Sequence, residues 1–232
     1  MNRVVQPELL DVLSPQDPKA IRSREDLRRL NAAMGHARLL ADSLQAQLEK
    51  PKAVTLVELG AGDGICLLRV AQRLGRRNPA ARVDVTLVDL QNLLTAETER
   101  DFERLNWHVR AVQSDVFDFL QRDRDRSNLM FANLFLHHFT DLQLKDLLQL
   151  ISERTDFFLA LETRRARFPL IAGWMVGLIG CNSVTRHDAV VSVEGGFAAN
   201  ELGRLWPRGP GWQLDEHSAG LFSHRFVAKR GG

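Results

Sequence analysis

The hydrophobic residues of this chain follow two alternating periodicities between residues 53 and 163. Short runs rich in β-branched residues predict buried strands, and apolar residues spaced three or four apart between those runs predict helices. The first predicted strand begins at residue 53 and the others cover 81–88, 107–112, 128–134 and 157–162, with helices at 65–75, 91–105, 116–122 and 142–152. This alternation indicates a mainly parallel sheet with helices on both faces and the carboxyl ends of its strands at one edge.

Two regions depart from this alternation. Before the first strand, residues 23–49 carry apolar residues at helical spacing, with Ser23 as the predicted N-cap, which predicts one or two helices beside the core domain. After the fifth strand, residues 164–206 are first apolar and then polar. Segments 212–217 and 221–229 then predict two strands joined by a Ser-Ala-Gly turn.

Length and composition narrow the class of protein. The chain has 232 residues and a formal net charge of +2, which suits one α/β domain with an appendage and gives no global field to attract nucleic acid. Its two cysteines, Cys66 and Cys181, have no metal-type spacing. The apolar run 168–180 is too short to span a bilayer. We therefore expect a cytoplasmic protein without a nucleic-acid or membrane partner, and a homodimer stays an open alternative.

A glycine-rich turn between the first strand and the first helix organises the domain. Residues 57–64 read Val-Glu-Leu-Gly-Ala-Gly-Asp-Gly. Glycines at alternate positions let the backbone turn sharply and approach a ligand closely. Glu58 and Asp63 add negative charge, which would repel the phosphates that a dinucleotide loop binds. The turn therefore suits a ligand with a cationic part and a sugar, whereas a turn without any ligand is the simpler alternative.

Two aspartates follow the next strands at the same edge. Asp89 ends the second strand, where a carboxylate beside a glycine turn can accept both hydroxyls of a ribose, and Leu90 follows it. Asp115 comes just after the third strand. Each aspartate could instead be the N-cap of the helix predicted after it, and the two roles are compatible.

A pair of histidines follows the fourth strand. Residues 131–139 read Phe-Ala-Asn-Leu-Phe-Leu-His-His-Phe, which places Asn133, His137 and His138 near the glycine turn. Since adjacent side chains diverge, we expect His137 and His138 to be poor joint ligands for one metal ion, and we predict no metal site. Either could deprotonate a substrate hydroxyl, because histidine titrates near neutral pH, and His187 could do so from residues 164–206. The alternative is that they are packed, hydrogen-bonded histidines.

These motifs resemble those of the class I S-adenosylmethionine (SAM)-dependent methyltransferases of the small-molecule type. The glycine turn matches their E-x-G-x-G-x-G motif position for position, and the Asn-x-x-Leu-His-His string is similar to their motif IV. The chain departs from the pattern at Asn128, where an Asp opens the strand in one form of the motif, and it lacks the Asn-Pro-Pro-Tyr signature of many nucleic-acid methyltransferases.

The resemblance implies a SAM site and assigns its residues. SAM would contact the glycine turn, with Asp89 on the ribose, Leu90 beside the adenine, Asp115 on the adenine amino group and the Val116 amide on a ring nitrogen. The full set of cofactor residues that it implies is Glu58, Gly60, Ala61, Gly62, Asp63, Gly64, Asp89, Leu90, Asp115, Val116 and Asn133, and the candidate catalytic residues are His137, His138 and His187.

The resemblance also implies a fold and an activity. The expected fold is a Rossmann-like, doubly wound seven-stranded sheet, mostly parallel with a C-terminal antiparallel strand. Residues 1–52 would form a helical cap over the ligand site, and residues 53–232 the methyltransferase domain with an acceptor-side insert at about 164–206. The expected reaction is methyl transfer to a small, largely apolar acceptor, with O-methylation of a phenolic or polyketide-like molecule favoured. RNA or protein methylation, and a non-catalytic SAM-binding subunit, are the alternatives.

Overall fold

A seven-stranded sheet forms the centre of the molecule in the computed structural model, which describes residues 1–48, 53–75, 82–122, 125–209 and 211–231. The strands are β1 (Ala53–Leu59), β2 (Arg82–Asp89), β3 (Trp107–Gln113), β4 (Leu129–Asn133), β5 (Phe157–Thr163), β6 (Trp212–Ala219) and β7 (Ser223–Arg230). Their order across the sheet is β3-β2-β1-β4-β5-β7-β6. Strands β1 to β5 pair in parallel, and β7 runs antiparallel to both β5 and β6. The predicted doubly wound fold with an antiparallel C-terminal strand is confirmed.

Ten helices and two 3₁₀ turns are described around this sheet. The first five helices are α1 (Leu9–Val12), α2 (Pro18–Met34), α3 (His36–Leu48), α4 (Ile65–Gly75) and α5 (Ala96–Glu103). The others are α6 (Val116–Arg122), α7 (Asp141–Arg154), α8 (Arg167–Met175), α9 (Ser183–Gly195) and α10 (Glu201–Leu205), with 3₁₀ turns at Leu136–His138 and Val176–Ile179. The helices following β1 to β4 are the predicted ones. The helix expected at 91–105 is shorter because Thr95 caps it, accepting a hydrogen bond from the Thr98 amide.

Two apolar cores lie on the two faces of the sheet. One contains residues of α3, α4 and α5, including Leu40, Leu44 and Leu67, and the other contains residues of α6, α7 and α10, including Leu144 and Leu202. Helix α3 thus belongs to a layer that covers the sheet. The predicted boundary near residue 52 lies outside the described residues.

The residues with helical spacing at 23–49 lie in two helices, α2 and α3. Helix α2 ends at Gly35, whose φ of 74° is the left-handed conformation that closes many helices. Its N-terminus lies earlier than predicted, since Asp17, and not Ser23, accepts the capping hydrogen bond from Lys19. Ser23 is buried and its hydroxyl lies 2.9 Å from that of Thr185 in α9.

Residues 164–206 contain helices α8, α9 and α10. Helix α9 packs against α8 on one side and against α1 and α2 on another. Through these contacts the segment joins the N-terminal helices above the carboxyl edge of the sheet. Among the described residues, no helix combines the length and apolar content that crossing a bilayer requires.

Candidate active site at the carboxyl edge of the sheet

The turn between β1 and α4 places three left-handed glycines at the carboxyl edge. The backbone φ is 69° at Gly60, 56° at Gly62 and 73° at Gly64. A Cβ at Gly60 would collide with the ring of Phe135, and one at Gly64 would lie 3.0 Å from Leu87 Cδ1. A Cβ at Gly62 would meet none of the described atoms within 4 Å. The turn therefore packs tightly at its ends and exposes its middle glycine to open space, where a ligand can approach the backbone.

This open space is a cavity of about 410 Å³ at the carboxyl ends of β1, β2 and β4. Most of the predicted site residues line it: Glu58, Gly60, Ala61, Gly62, Asp63, Asp89, Leu90, Asp115, Val116, Asn133, His137 and His138. Gly64 and His187 do not. A second cavity of about 400 Å³ includes Thr55, Asp84 and His108 in its lining and none of the predicted site residues.

Asp89 supports the glycine turn from the neighbouring strand. Its Oδ2 accepts a hydrogen bond from the Gly62 amide at 2.8 Å, and its Oδ1 accepts one from the Gln91 amide at 2.9 Å. The alternative role of Asp89, as N-cap of a helix starting at residue 91, is wrong because α5 begins at Ala96. A carboxylate oxygen has two lone pairs, so Asp89 keeps acceptor capacity toward the cavity.

Asp115 does cap a helix. Its Oδ1 accepts hydrogen bonds from the amides of Phe117 at 2.8 Å and Asp118 at 3.3 Å, at the start of α6. Its side chain is exposed and also faces the cavity. Leu90, which is 65% exposed, and the buried Val116 add apolar surface to this part of the lining.

Asp63 links the turn to the N-terminal helices. Its Oδ1 accepts a hydrogen bond from the Ile65 amide at 3.0 Å, which caps α4, and its Oδ2 lies 2.7 Å from Arg28 Nε in α2. The acidic residue within the turn therefore has a cationic partner from the protein.

Among the residues that the structure describes, none is such a partner for Glu58. It is 2% exposed, and its Oε2 accepts no hydrogen bond from any described residue. Burial, with the nearby charges of Asp63 and Asp89, raises the pKa of the Glu58 carboxyl well above its ordinary value. A buried carboxyl without a partner is energetically costly, and a cationic ligand group in the cavity would relieve that cost.

His137 lies between two carboxylates. Its Nδ1 is 2.8 Å from Glu162 Oε2, and its Nε2 is 3.2 Å from Glu8 Oε1. Burial alone would lower the pKa of His137, but the hydrogen bonds and charges of Glu162 and Glu8 outweigh it and raise the pKa to about 10. At neutral pH this imidazole is therefore protonated and cannot accept a further proton.

His138 is the more accessible of the pair. Its side chain is 22% exposed, and its Nδ1 lies 3.2 Å from Asp11 Oδ2. The expectation that the two histidines diverge is wrong: their ring centroids are 4.3 Å apart, with planes at 30°. Both residues lie in a 3₁₀ turn, not in the strand, so consecutive side chains do not alternate between opposite faces. Their ring nitrogens and a carboxylate oxygen of Glu8 lie within 4.8 Å of one another.

The backbone before this turn is strained. Leu134 has a φ of 55°, which is unusual for a residue with a Cβ. Glu162, at the end of β5, accepts hydrogen bonds from the amides of Phe135 at 2.9 Å and Leu136 at 2.7 Å. The same carboxylate therefore orders the backbone of the turn and the ring of His137.

Asn133 belongs to a buried chain of hydrogen bonds. Its Oδ1 lies 3.0 Å from His36 Nδ1, and His36 Nε2 lies 3.0 Å from the Ser223 hydroxyl. Burial lowers the pKa of His36 to about 4, so the ring is neutral. Its Nδ1–H donates to Asn133 and its Nε2 accepts from Ser223, which joins α3, β4 and β7 below the cavity.

The N-terminal segment covers the cavity from the side of α9. Arg3 donates hydrogen bonds to the carbonyls of Gly195 at 2.8 Å and Phe139 at 2.7 Å. The carboxylate of Asp188 accepts from the amides of Leu9 at 2.8 Å and Leu10 at 3.0 Å. Glu8, Leu10 and Asp11 thereby become part of the cavity lining.

Several residues of the candidate site were not predicted from the sequence. Glu8, Asp11, His36 and Glu162 lie far along the chain from the residues that they contact, and no local motif marks them. Only Glu162 could have been singled out from the sequence, because it lies at the carboxyl end of the fifth predicted strand. His187 was predicted near the site, but it pairs with its neighbour Asp188 at 2.9 Å and its side chain is 44% exposed.

The comparisons with known proteins agree with this architecture. Residues 56–155 match the family described as a methyltransferase domain. No curated protein sequence matches the chain significantly. Among solved structures, the chain is similar to an O-methyltransferase family protein from Burkholderia thailandensis, with a TM-score of 0.58, 14% identity, and coverage of 94% of this chain and 61% of that chain. It thus spans about three fifths of that relative.

Two further structures with the same fold were solved with a cofactor or its product. One is the plantazolicin methyltransferase BamL in complex with a desmethylplantazolicin analogue and S-adenosylhomocysteine (TM-score 0.62, 11% identity, 93% of this chain and 92% of that chain). The other is human N-acetylserotonin methyltransferase in complex with SAM (TM-score 0.52, 17% identity, 95% of this chain and 61% of that chain). The family match shows a methyltransferase domain at residues 56–155, and the likeness to these solved structures shows that the chain has the fold of these methyltransferases.

Proposed function

We propose that this protein transfers the methyl group of SAM to a hydroxyl of a small, largely apolar acceptor. The observation that carries the proposal is Glu58, a buried carboxyl with an unpartnered oxygen at the glycine turn, inside the cavity. The ammonium group of SAM would supply the missing partner. A dinucleotide pyrophosphate is an anion and would offer no donor to the unpartnered oxygen of Glu58.

The other SAM contacts follow the predicted assignments. Asp89, with its remaining acceptor capacity, would bind the ribose hydroxyls, and Leu90 would cover one face of the adenine. Asp115 and the Val116 amide would bind the adenine edge. Gly62 leaves room for the ligand beside the turn, as the open space at its Cβ position supports. When bound, SAM supplies an electrophilic methyl on its sulfonium.

We assign the role of general base to His138. Asp11 faces Nδ1 of this ring, so a proton on Nδ1 leaves Nε2 as the acceptor. His138 Nε2 would take the proton of the acceptor hydroxyl as the oxygen becomes a nucleophile. His137 is a positioning residue in this scheme, because its protonated ring holds Glu8 and Glu162 and so fixes the turn that presents His138.

The acceptor side of the cavity supports a hydrophobic substrate. Leu10, Leu134, Phe135 and Phe139 add apolar surface near His138. The N-terminal segment would exclude water from this space, which favours a small acceptor over a folded RNA or protein. A phenol, including a polyketide-derived one, has the apolar body and acidic hydroxyl that such a site suits.

The test is methyl transfer from isotope-labelled SAM to a panel containing simple phenols, phenolic polyketides, RNA and a mixed protein substrate. We expect label in an O-methyl product of a phenolic acceptor. Label only in RNA or protein would contradict the proposed acceptor class. Tight SAM binding with no transfer to any class would favour the alternative of a non-catalytic subunit.

A further inference from the structure

We propose that helix α8 and the 3₁₀ turn after it bind the surface of an anionic lipid bilayer. The six large apolar side chains that form this surface, called the apolar patch below, are 50–80% exposed: Phe168, Ile171, Trp174, Met175, Leu178 and Ile179. Exposed apolar side chains clustered to this degree mark an interaction surface more often than a plain solvated one. The inference is independent of the proposed reaction.

The patch occupies one side of the helix. Phe168, Ile171 and Met175 are spaced three and four residues apart, which puts them on one face, while Pro169 and Gly173 are buried on the other. A Cβ at Gly173 would lie only 3.1 Å from the Ala189 carbonyl oxygen, so the inner face is in close contact with α9. The outer face therefore cannot turn inward without separating the two helices.

The patch does not line the candidate active site. None of its six residues borders the cavity described above. We expected this apolar segment to line or cover an acceptor pocket, and the structure instead directs its large side chains outward. Phe168 packs beside Phe222, with ring centroids 5.5 Å apart, so the patch continues toward the β6–β7 turn, where Leu221 is 62% exposed.

Charge indicates which partner covers this surface. Residues 164–187 contain four arginines and no Asp or Glu, although the whole chain has a net charge of only +2. Arg165 is buried and paired with Glu201, whereas Arg167 and Arg186 are exposed. Exposed arginines beside apolar and tryptophan side chains match the headgroup region of an anionic membrane, where tryptophan and basic residues are favoured.

This differs from our expectation that the protein has no membrane partner. That expectation rested on the lack of a segment long enough to span a bilayer. Peripheral binding needs only one exposed face, and a short helix with flanking arginines provides it.

The experiment measures co-sedimentation of the full chain with vesicles of phosphatidylcholine alone or mixed with phosphatidylglycerol. We expect binding to the anionic vesicles to be about tenfold stronger or more. Trp174→Glu/Leu178→Glu should abolish at least nine tenths of that binding, and Arg167→Gln should reduce the preference for anionic lipid. Leu142→Glu in α7 is the matched control, because Leu142 is 73% exposed and outside the patch. It should bind like the unmodified chain.

The single variant Leu178→Ser, with its thermal unfolding measured, separates a surface effect from a folding defect. If the unmodified chain binds neither vesicle type, or if the double variant binds as well as the control, the proposal is wrong. Light scattering tests the alternative that a second copy of this chain covers the patch. A concentration-dependent dimer that the double variant disrupts, without any vesicle binding, would assign the patch to a second copy of this chain and overturn the lipid assignment.

Discussion

His138 and His137 are adjacent in sequence and differ in their partners and in their exposure. The ring of His138 faces the cavity with one carboxylate at Nδ1, whereas the ring of His137 lies between Glu162 and Glu8 and stays protonated. Two identical side chains thus receive different roles from their partners, which no reading of the His-His dipeptide could assign.

Replacing the proposed base should impair turnover without affecting cofactor binding. We expect His138→Gln to lower kcat by about 10²–10⁴-fold, the usual contribution of a general base, while SAM affinity changes little. His187→Gln is the control, because His187 lies outside the cavity, and it should cost less than about tenfold. Steady-state kinetics with calorimetry of SAM binding would check both. Equal losses in the two variants would contradict the assignment to His138.

Replacing Glu58 should weaken SAM binding without lowering the stability of the fold. A buried carboxyl with a raised pKa is destabilising at neutral pH, so Glu58→Gln should leave the Tm unchanged or raise it. The same change removes the proposed partner of the SAM ammonium and should weaken SAM binding by about 1.5–3 kcal/mol. Glu99→Gln, at an exposed position of α5, is the control and should alter neither. A Glu58→Gln variant that binds SAM normally would leave the buried carboxyl without a ligand role.

At the scale of elements, the N-terminal segment depends on one side chain of α9. Asp188 accepts hydrogen bonds from two amides of α1, and its burial raises its pKa despite the hydrogen bonds that oppose this shift. Helix α1 has four residues, which is too short to be stable without such an anchor. The cover over the cavity therefore forms through tertiary contacts and not through the helical propensity of residues 9–12.

Hydrogen exchange can test this anchor. We expect Asp188→Ala to accelerate amide exchange at residues 9 and 10 by about tenfold or more, because their acceptor is removed. Glu194→Ala is a matched control on the same helix, because the Glu194 side chain accepts only an exposed hydrogen bond from the Gln6 side chain among the described contacts. If both variants exchange alike, the N-terminal segment is held by other contacts.

The elements themselves were largely predictable, because strand and helix periodicity are local properties. The strands at residues 53 and beyond, the helix Ile65–Gly75 and the strand pair at the C-terminus all appear where the pattern indicates. The division of 23–49 into two helices was not resolved, because a single glycine at residue 35 is tolerated in many helices. The outward orientation of α8 was also not predicted, because an apolar segment has the same sequence pattern whether its side chains face a cavity or solvent.

Only the local motifs of the candidate site were predictable from the sequence. The glycine turn, Asp89, Asp115 and the histidines follow strand ends, and parallel topology brings such ends together. The acidic partners of the histidines lie far from them in the sequence. Glu162 is 25 residues from His137, and Glu8 is 129 residues from it. Pairings of that length are set by the packing of whole helices, which sequence periodicity does not specify.

At the scale of the whole molecule, the pair of His137 and Glu162 couples stability to pH. The pKa of His137 is about 10 in the folded state against an ordinary value of 6.5, so its contribution is complete below about pH 6.5 and is lost as the pH rises toward 10. The pKa of Glu162 is lowered, although burial alone would raise it, so its contribution is lost as the pH falls through the acidic range. Stability from this pair is therefore greatest between these limits.

Replacement of His137 should show this dependence. We expect His137→Gln to lower the free energy of unfolding by about 3–5 kcal/mol at pH 6, because it leaves a buried charge unpaired. The difference from the unmodified chain should shrink as the pH rises from 6.5 to 10. Denaturant unfolding at a series of pH values measures it, with the exposed His217 replaced by Gln as control. A difference that stays constant with pH would mean that His137 is not protonated in the fold.

Calorimetric titration of the folded chain with SAM, S-adenosylhomocysteine and NAD tests whether the cavity at the glycine turn is a SAM site. We expect SAM and S-adenosylhomocysteine to bind and NAD not to bind. We also expect Asp89→Ala to weaken SAM binding by about 1.5–3 kcal/mol, whereas Asp84→Ala, earlier in the same strand and away from the cavity, should leave it unchanged. Folded protein that shows no heat of binding with SAM, or that binds NAD in its place, would show that this cavity is not a SAM site.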